Sequence, residues 1–195
     1  MVADDRPTLL AHTRRMLSHH ALRRQSSIPH SWRRHLAVPL SVYGLSSFTY
    51  VAVGLHALAL WSSCPSAIPE WPPAIARPEA CLVTLQGIWS FFSDVLNVGR
   101  DSAFHPIDRA SALALVAVQL IKFGLVMPHS MTVAELVWIW FGLAGGIGCK
   151  LCGYRAILRG SPESFRTWHT LWHVSMPLFV GLLHSTRWRA SCTAW

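Results

Sequence analysis

Charged side chains are scarce in this chain. They make up 13% of its 195 residues, while 52% are hydrophobic, against about a quarter charged in an ordinary soluble domain. That shortage argues against a water-soluble globule and for a membrane. Acids are scarcer than bases, nine against seventeen, and the net charge is +8. Such an excess can mean nucleic acid, but no recognition motif accompanies it, and basic loops beside apolar spans follow from the positive-inside bias. No nucleic-acid partner is expected. The chain also lacks the charged start, apolar core and small-residue cleavage site of a secretory signal. There is no phosphate-loop pattern, and the one C-x-x-C, Cys149 and Cys152, has neither a second pair nor a thioredoxin-like context.

Tryptophan, in contrast, is abundant. Ten occur, several near the ends of apolar runs, where an amphipathic ring prefers the headgroup region. Residues 1–34 hold seven arginines against Asp4 and Asp5 and read as a basic arm that is retained. An organelle transit peptide is the competing reading, which the two acids count against.

Five apolar spans follow, so the expected fold class is an all-α integral membrane bundle over residues 35–187, with a tail at 188–195. The first, 36–61, carries no formal charge and is long enough at about 1.5 Å per residue to cross a hydrocarbon core of about 30 Å with tilt. His56 lies within it, as an interhelical hydrogen-bonding group or a ligand. A Pro-rich loop, 62–79, is expected to stay non-helical. Cys64 and Cys81 flank it and could pair in an oxidising lumen. The second span, 80–98, contains Ser90, Ser93 and Asp94.

A polar turn from Gly99 to Pro106 precedes the third span, 107–127, whose first turn holds Asp108 and Arg109. An acid there suits the positive end of the helix dipole, and Arg109 can anchor at the interface. Lys122 can snorkel to headgroups or meet Glu135 at the start of the fourth span, 132–149. Small residues from Gly142 to Gly148 suit close helix packing. After a basic loop, Ser161 and Pro162 read as cap and first helical position. The fifth span, 165–184, opens on His169 and His173 and contains Pro177, which is expected to bend it.

Counting spans brings the polar residues together. The basic arm and the connections 99–106 and 150–166 fall on one side, which the cationic bias makes cytosolic. Helix two ends there, and helices three and five begin there. Asp94, His105, Asp108, His169 and His173 then share one leaflet, with Ser90 a turn deeper. Ionisable groups inside a bundle are costly, by about 2.5–3.5 kcal/mol for a central Asp, so they usually pair or serve a site. Two histidines four apart stand on one helical face and can reach one ion. Alone, that spacing is more often structural; with the carboxylates at the same level it points to a metal, and zinc suits such donors.

His169-Thr-Leu-Trp172-His173 and Ser90-Phe-Phe-Ser-Asp94 resemble the CREST superfamily of membrane hydrolases and receptors, which includes alkaline ceramidases and the progestin and adiponectin receptors. That family has Ser-x-x-x-His at the end of its second span, Asp near the start of the third and H-x-x-x-H at the start of the last. The likeness covers residues from about 86 to 186. It departs at Asp94, which stands where the family has His, and it requires five spans in place of seven. Either Asp94 and His105 have exchanged types, or His105 still binds metal and Asp108 is the family-like Asp. The resemblance implies a zinc-dependent hydrolase of a lipid amide or ester in an endomembrane. In it His105, His169 and His173 hold zinc, Asp94 or Asp108 handles the proton, and Ser90 positions water or oxyanion.

Two readings of other classes stand beside it. Paired histidines on separate helices can ligate a haem, although His169 and His173 share one face, which suits a small ion better. A non-catalytic membrane subunit or adaptor could use the basic arm to bind anionic lipid.

Overall fold

The computed structural model describes residue 24, residues 26–64 and residues 71–192. Most of the basic arm, part of the Pro-rich loop and the last three residues of the tail lie outside them. Among the described residues there is no strand, and the protein is all-α. A short turn, His30–Trp32, runs into Arg33–Leu36. Five long helices follow: α1 Val42–Ser63, α2 Pro73–Phe91, α3 Phe104–Val126, α4 Val133–Leu158 and α5 Pro162–Cys192. α2 continues through a wider turn, Phe92–Leu96.

Three of these helices, α1, α3 and α4, are long and apolar enough to cross a membrane. Their outer faces expose large apolar residues such as Leu55, Leu113, Leu125, Val137 and Phe141. Exposed apolar surface on this scale needs a partner phase. α2 and α5 carry more polar residues and are packed against these helices: α5 lies along α4 and α1, and α2 along α1 and α3.

Local chemistry moved several expected boundaries. α1 starts at Val42 rather than 36, because Pro39 interrupts the backbone and the Ser41 hydroxyl accepts from Gly44 N–H as a new cap. α2 starts at Pro73, inside the segment expected to stay non-helical. Proline at the first helical position lacks only an N–H that would have had no partner, and Pro78 is tolerated one turn on while Ala76, Glu79 and Ala80 become buried. α3 starts at Phe104, which draws His105 and Pro106 from the expected turn into a helix. α4 is capped at Thr132, whose hydroxyl and backbone exchange hydrogen bonds with Glu135. It extends nine residues beyond the expected 149, to Leu158. There Gly160, at φ 70°, turns the chain while Ser161 N–H reaches Ala156 O and Gly160 N–H reaches Ile157 O, satisfying two of the last carbonyls. Ser161 then caps α5 as expected.

Packing explains only half of the small-residue stretch on α4. Gly142 and Gly146 face Phe179 and Met176 of α5, where no Cβ would fit, while Gly145 and Gly148 face open space. One core cluster fills the bundle with Tyr50, Trp61, Phe123, Ile139, Trp172 and Leu183. A second closes the end near the start of α5, where Ile28, Trp32 and Leu36 pack on Tyr43, Val95 and Phe165.

At the opposite end the structure corrects two pairings. Cys64 is bonded to Cys192, 128 residues away, and Cys81 is exposed and free. α5 runs on to Cys192 and so brings its end beside the end of α1, whereas Cys81 sits two turns into α2. Lys122 neither snorkels nor meets Glu135. It is fully buried and pairs with Glu79 at 2.8 Å, because the early start of α2 places that acid inside the bundle. Glu135 instead pairs with Arg187 Nε at 2.9 Å, and Arg187 also donates to the Ser130 carbonyl. His56 is exposed and hydrogen-bonded to Ser185 of α5 at 2.8 Å.

Candidate metal centre

The turn after Phe91 decides the site. Its backbone closes from Asn97 N–H to Phe92 O at 3.0 Å, one residue wider than an α-helical turn, and such widened turns often mark functional positions. The turn directs Asp94 toward α5 and Ser93 toward His105 of α3, while Ser90 sits one regular turn earlier. From α5, His169 and His173 project four residues apart from one face, with ring centroids 4.3 Å apart.

Asp94 Oδ2 lies 2.8 Å from His169 Nε2 and 3.9 Å from His173 Nε2. One ligand atom from each of the three residues falls within 4.8 Å of the other two, and both imidazoles are buried. The Ser90 hydroxyl is 3.1 Å from His173 Nε2 and 3.4 Å from Asp94 Oδ2.

Hydrogen bonds from α1 hold the far side of the His173 ring. Its Nδ1 lies 3.2 Å from both Ser46 Oγ and Ser47 Oγ of α1. The Ser46 hydroxyl already donates to the Tyr43 carbonyl at 2.7 Å, and a hydroxyl has only one proton. Ser46 can therefore only accept, and when the hydrogen is on Nδ1 the Nε2 lone pair faces Asp94. That tautomer is the one a metal needs, and an outer partner on the second nitrogen is how ligating histidines are normally held. The donor set of two imidazoles and one carboxylate fits zinc with an open position, and it also matches the facial arrangement used for non-haem iron.

Around these groups the walls are aromatic. Tyr43 and Phe165 pack on the His169 ring at centroid distances of 5.6 Å and 4.9 Å, and Tyr50 meets His173 edge-on at 5.9 Å. Tyr43 also donates from Oη to the Asp94 carbonyl.

The other sequence-predicted residues stand near but apart. Asp108 is buried in α3 rather than placed as an interfacial helix-start charge. It accepts from Gln86 Nε2 at 2.7 Å and interacts with the Ser90 hydroxyl and the charge of Asp94. Gln86 Oε1 accepts from Ser111. His105 is buried one serine away from the three donors. Its Nδ1 is 2.8 Å from Ser93 Oγ and its Nε2 is 2.9 Å from the Arg100 carbonyl.

Sequence reasoning missed Ser46 and Ser47 altogether. They lie outside the stretch that carries the family likeness, and their only signal was a pair of adjacent hydroxyls in an apolar run. The chain matches no protein-family model, no curated protein and no solved structure.

Proposed function

We propose that this chain is a multi-pass, five-span membrane hydrolase with a zinc site at Asp94, His169 and His173, acting on a lipid amide or ester as its CREST-like motifs imply. The observation that carries the reading is the convergence of three ligand atoms within 4.8 Å, one of them on an imidazole whose other nitrogen lies 3.2 Å from the Ser46 and Ser47 hydroxyls. Zinc held there would supply Lewis acidity and lower the pKa of water. The rings of His169 and His173 converge on one point, an arrangement for a single ion and not for the two faces of a porphyrin.

The remaining roles belong to the chain's own groups. Ser90, beside both His173 and Asp94, holds water or a developing oxyanion by its hydroxyl. Asp108, buried on Gln86 and in reach of Ser90, takes the proton that attack releases and returns it to the leaving group. An apolar cleft lies between Tyr50, Gln86, Leu115 and Trp172, and its lining supports a substrate with a hydrocarbon chain.

Two independent features support an orientation. Arg100, Lys150, Arg155, Arg159 and Arg166 lie at the site's end of the bundle, the pattern of cytosolic connections. The Cys64–Cys192 bond lies at the other end, and disulfides persist in oxidising compartments. The N-terminus and the site then face the cytosol, and the disulfide faces the lumen of an endomembrane.

Elemental analysis of detergent-purified protein tests the reading, wild type beside a His169→Ala, His173→Ala double variant. The expected result is about one zinc per wild-type chain and none in the variant, followed by hydrolysis of ceramides by the wild type alone. Wild-type protein without metal after chelator-free preparation would overturn the hydrolase and favour a non-catalytic subunit.

A further inference from the structure

Asp94 divides its two oxygens between two tasks. Oδ2 faces His169 and His173, whereas Oδ1 accepts from the Ser93 hydroxyl at 3.1 Å. Ser93 in turn lies 2.8 Å from His105 Nδ1. The far nitrogen of that ring, Nε2, is 2.9 Å from the Arg100 carbonyl. A carbonyl only accepts, so Nε2 donates to it; the single proton of the Ser93 hydroxyl goes to Asp94, so Ser93 Oγ accepts from His105 Nδ1–H. Both ring nitrogens of His105 are thus engaged away from the three converging donors. All of this is interior: Ser93 and His105 are each only 2% exposed.

We infer that His105 is a positioning residue, which acts through Ser93 to hold the Asp94 carboxylate with one oxygen toward the metal, and that it is not itself a ligand. The inference rests on the metal site proposed above. Torsions that end in a carboxylate are broad and roughly two-fold, so an untethered Asp94 could rotate and exchange its oxygens. The Ser93 hydroxyl removes that freedom. A serine hydroxyl is itself a rotor, and the His105 ring fixes it, because the ring is locked to the Arg100 carbonyl in the turn that leads into α3. The chain Arg100 carbonyl, His105, Ser93, Asp94 therefore carries the geometry of the α2–α3 turn into the ligand set. Outer partners of this kind are worth about 10- to 100-fold in metal affinity.

The test is zinc binding by full-length protein in detergent, read by competition with a chromophoric chelator. The proteins are wild type, Ser93→Ala, His105→Ala and His105→Asn, with His169→Ala as the ligand control. At saturating zinc, both Ser93→Ala and His105→Ala should still hold one ion per chain, with affinity reduced about 10- to 100-fold. Asparagine can present its amide N–H as a donor near the Nδ1 position, so His105→Asn should recover most of the loss. In the Co²⁺-loaded protein the visible d–d bands should shift in Ser93→Ala and His105→Ala and return in His105→Asn, a signature that loss of packing alone would not produce.

His105→Ala that holds no zinc at saturation, like His169→Ala, would make His105 a ligand and overturn the inference. Unchanged affinity in His105→Ala, or asparagine no better than alanine, would overturn it equally. Should His105→Ala fail to fold, Ser93→Ala, which removes a single oxygen, decides the matter by the same affinity and band shift. Wild-type protein without zinc affinity would bring down the site itself, a result distinct from wild-type binding that is indifferent to residues 93 and 105.

Discussion

Two buried polar clusters sit at opposite ends of the same three helices, and they are built from matching parts. α2 supplies an acid to each, Glu79 at one end and Asp94 at the other. α5 supplies histidine to each, His184 at one end and His169 with His173 at the other. The difference lies in the cation. Glu79 is met by Lys122, which reaches both carboxylate oxygens at 2.9 Å and 2.8 Å and places its third hydrogen on His184 Nε2 at 2.7 Å. Trp71 and Gln119 complete the acid's hydrogen bonds, and the Trp71 ring stands 5.0 Å from the ammonium. Asp94 has imidazoles as its ion-pair partners, and an imidazole supplies positive charge only if a proton or a metal comes to it. A cluster that carries its own cation is a clasp. One that must borrow its cation has the donor set a metal ion could complete.

The comparison is most exposed at Lys122. Lys122→Met leaves Glu79 buried without its counter-charge and should destabilise the protein by about 3–5 kcal/mol, the cost of breaking a buried pair from one side. Thermal unfolding in detergent would show it, and a Glu79→Gln, Lys122→Met double variant should recover most of the loss. A Lys122→Met protein as stable as wild type would remove the distinction between the two ends.

The disulfide stands beside that clasp. Cys64→Ser should cost about 2–4 kcal/mol, a typical range for a native bridge. Melting temperatures under oxidising and reducing conditions should differ in wild type and coincide in the variant.

Asp94→Asn sharpens the contrast from the other side. The ion pairs of Asp94 are with imidazoles, and Lys150 and Arg109 act on it by charge at longer range, so metal-free Asp94→Asn should change in stability by no more than about 1 kcal/mol, near the net worth of one hydrogen bond, while zinc binding is lost. Parallel melting and metal-content measurements check both halves. A loss as large as that of Lys122→Met would make the two clusters equivalent.

The smallest effect belongs to a polar contact in neither cluster. His56→Ala removes the hydrogen bond to Ser185 between α1 and α5, and about 0.6 kcal/mol is expected for such a bond within a membrane bundle. A change well beyond that in the unfolding midpoint would mean that His56 serves more than helix association.

Much of this organisation was legible beforehand because it depends on neighbours in the chain. Apolar runs too long for a loop dictated helices, and Ser161 with Pro162 marked the start of α5, since capping is decided within one turn. The spacing of His169 and His173 put both on one face by helical geometry alone. Alternation of helix direction placed Asp94 at their level. Boundaries were less legible where burial outweighed local preference, as at Pro73 and Pro78, which entered a helix that composition alone denied them.

What the amino-acid order determined by itself was therefore the all-helical class, an apolar character suited to a membrane, and the level at which Asp94, His169 and His173 would meet. Only the tertiary structure decided which side chains complete each cluster: Lys122 for Glu79, Cys192 for Cys64, Ser46 and Ser47 for His173, Ser93 between Asp94 and His105. The physical reason is range. Periodicity and capping act over a few residues and leave their mark in the sequence, whereas a hydrogen bond or a disulfide across 12 to 128 positions depends on how far each helix runs and which way its face is turned when the bundle closes.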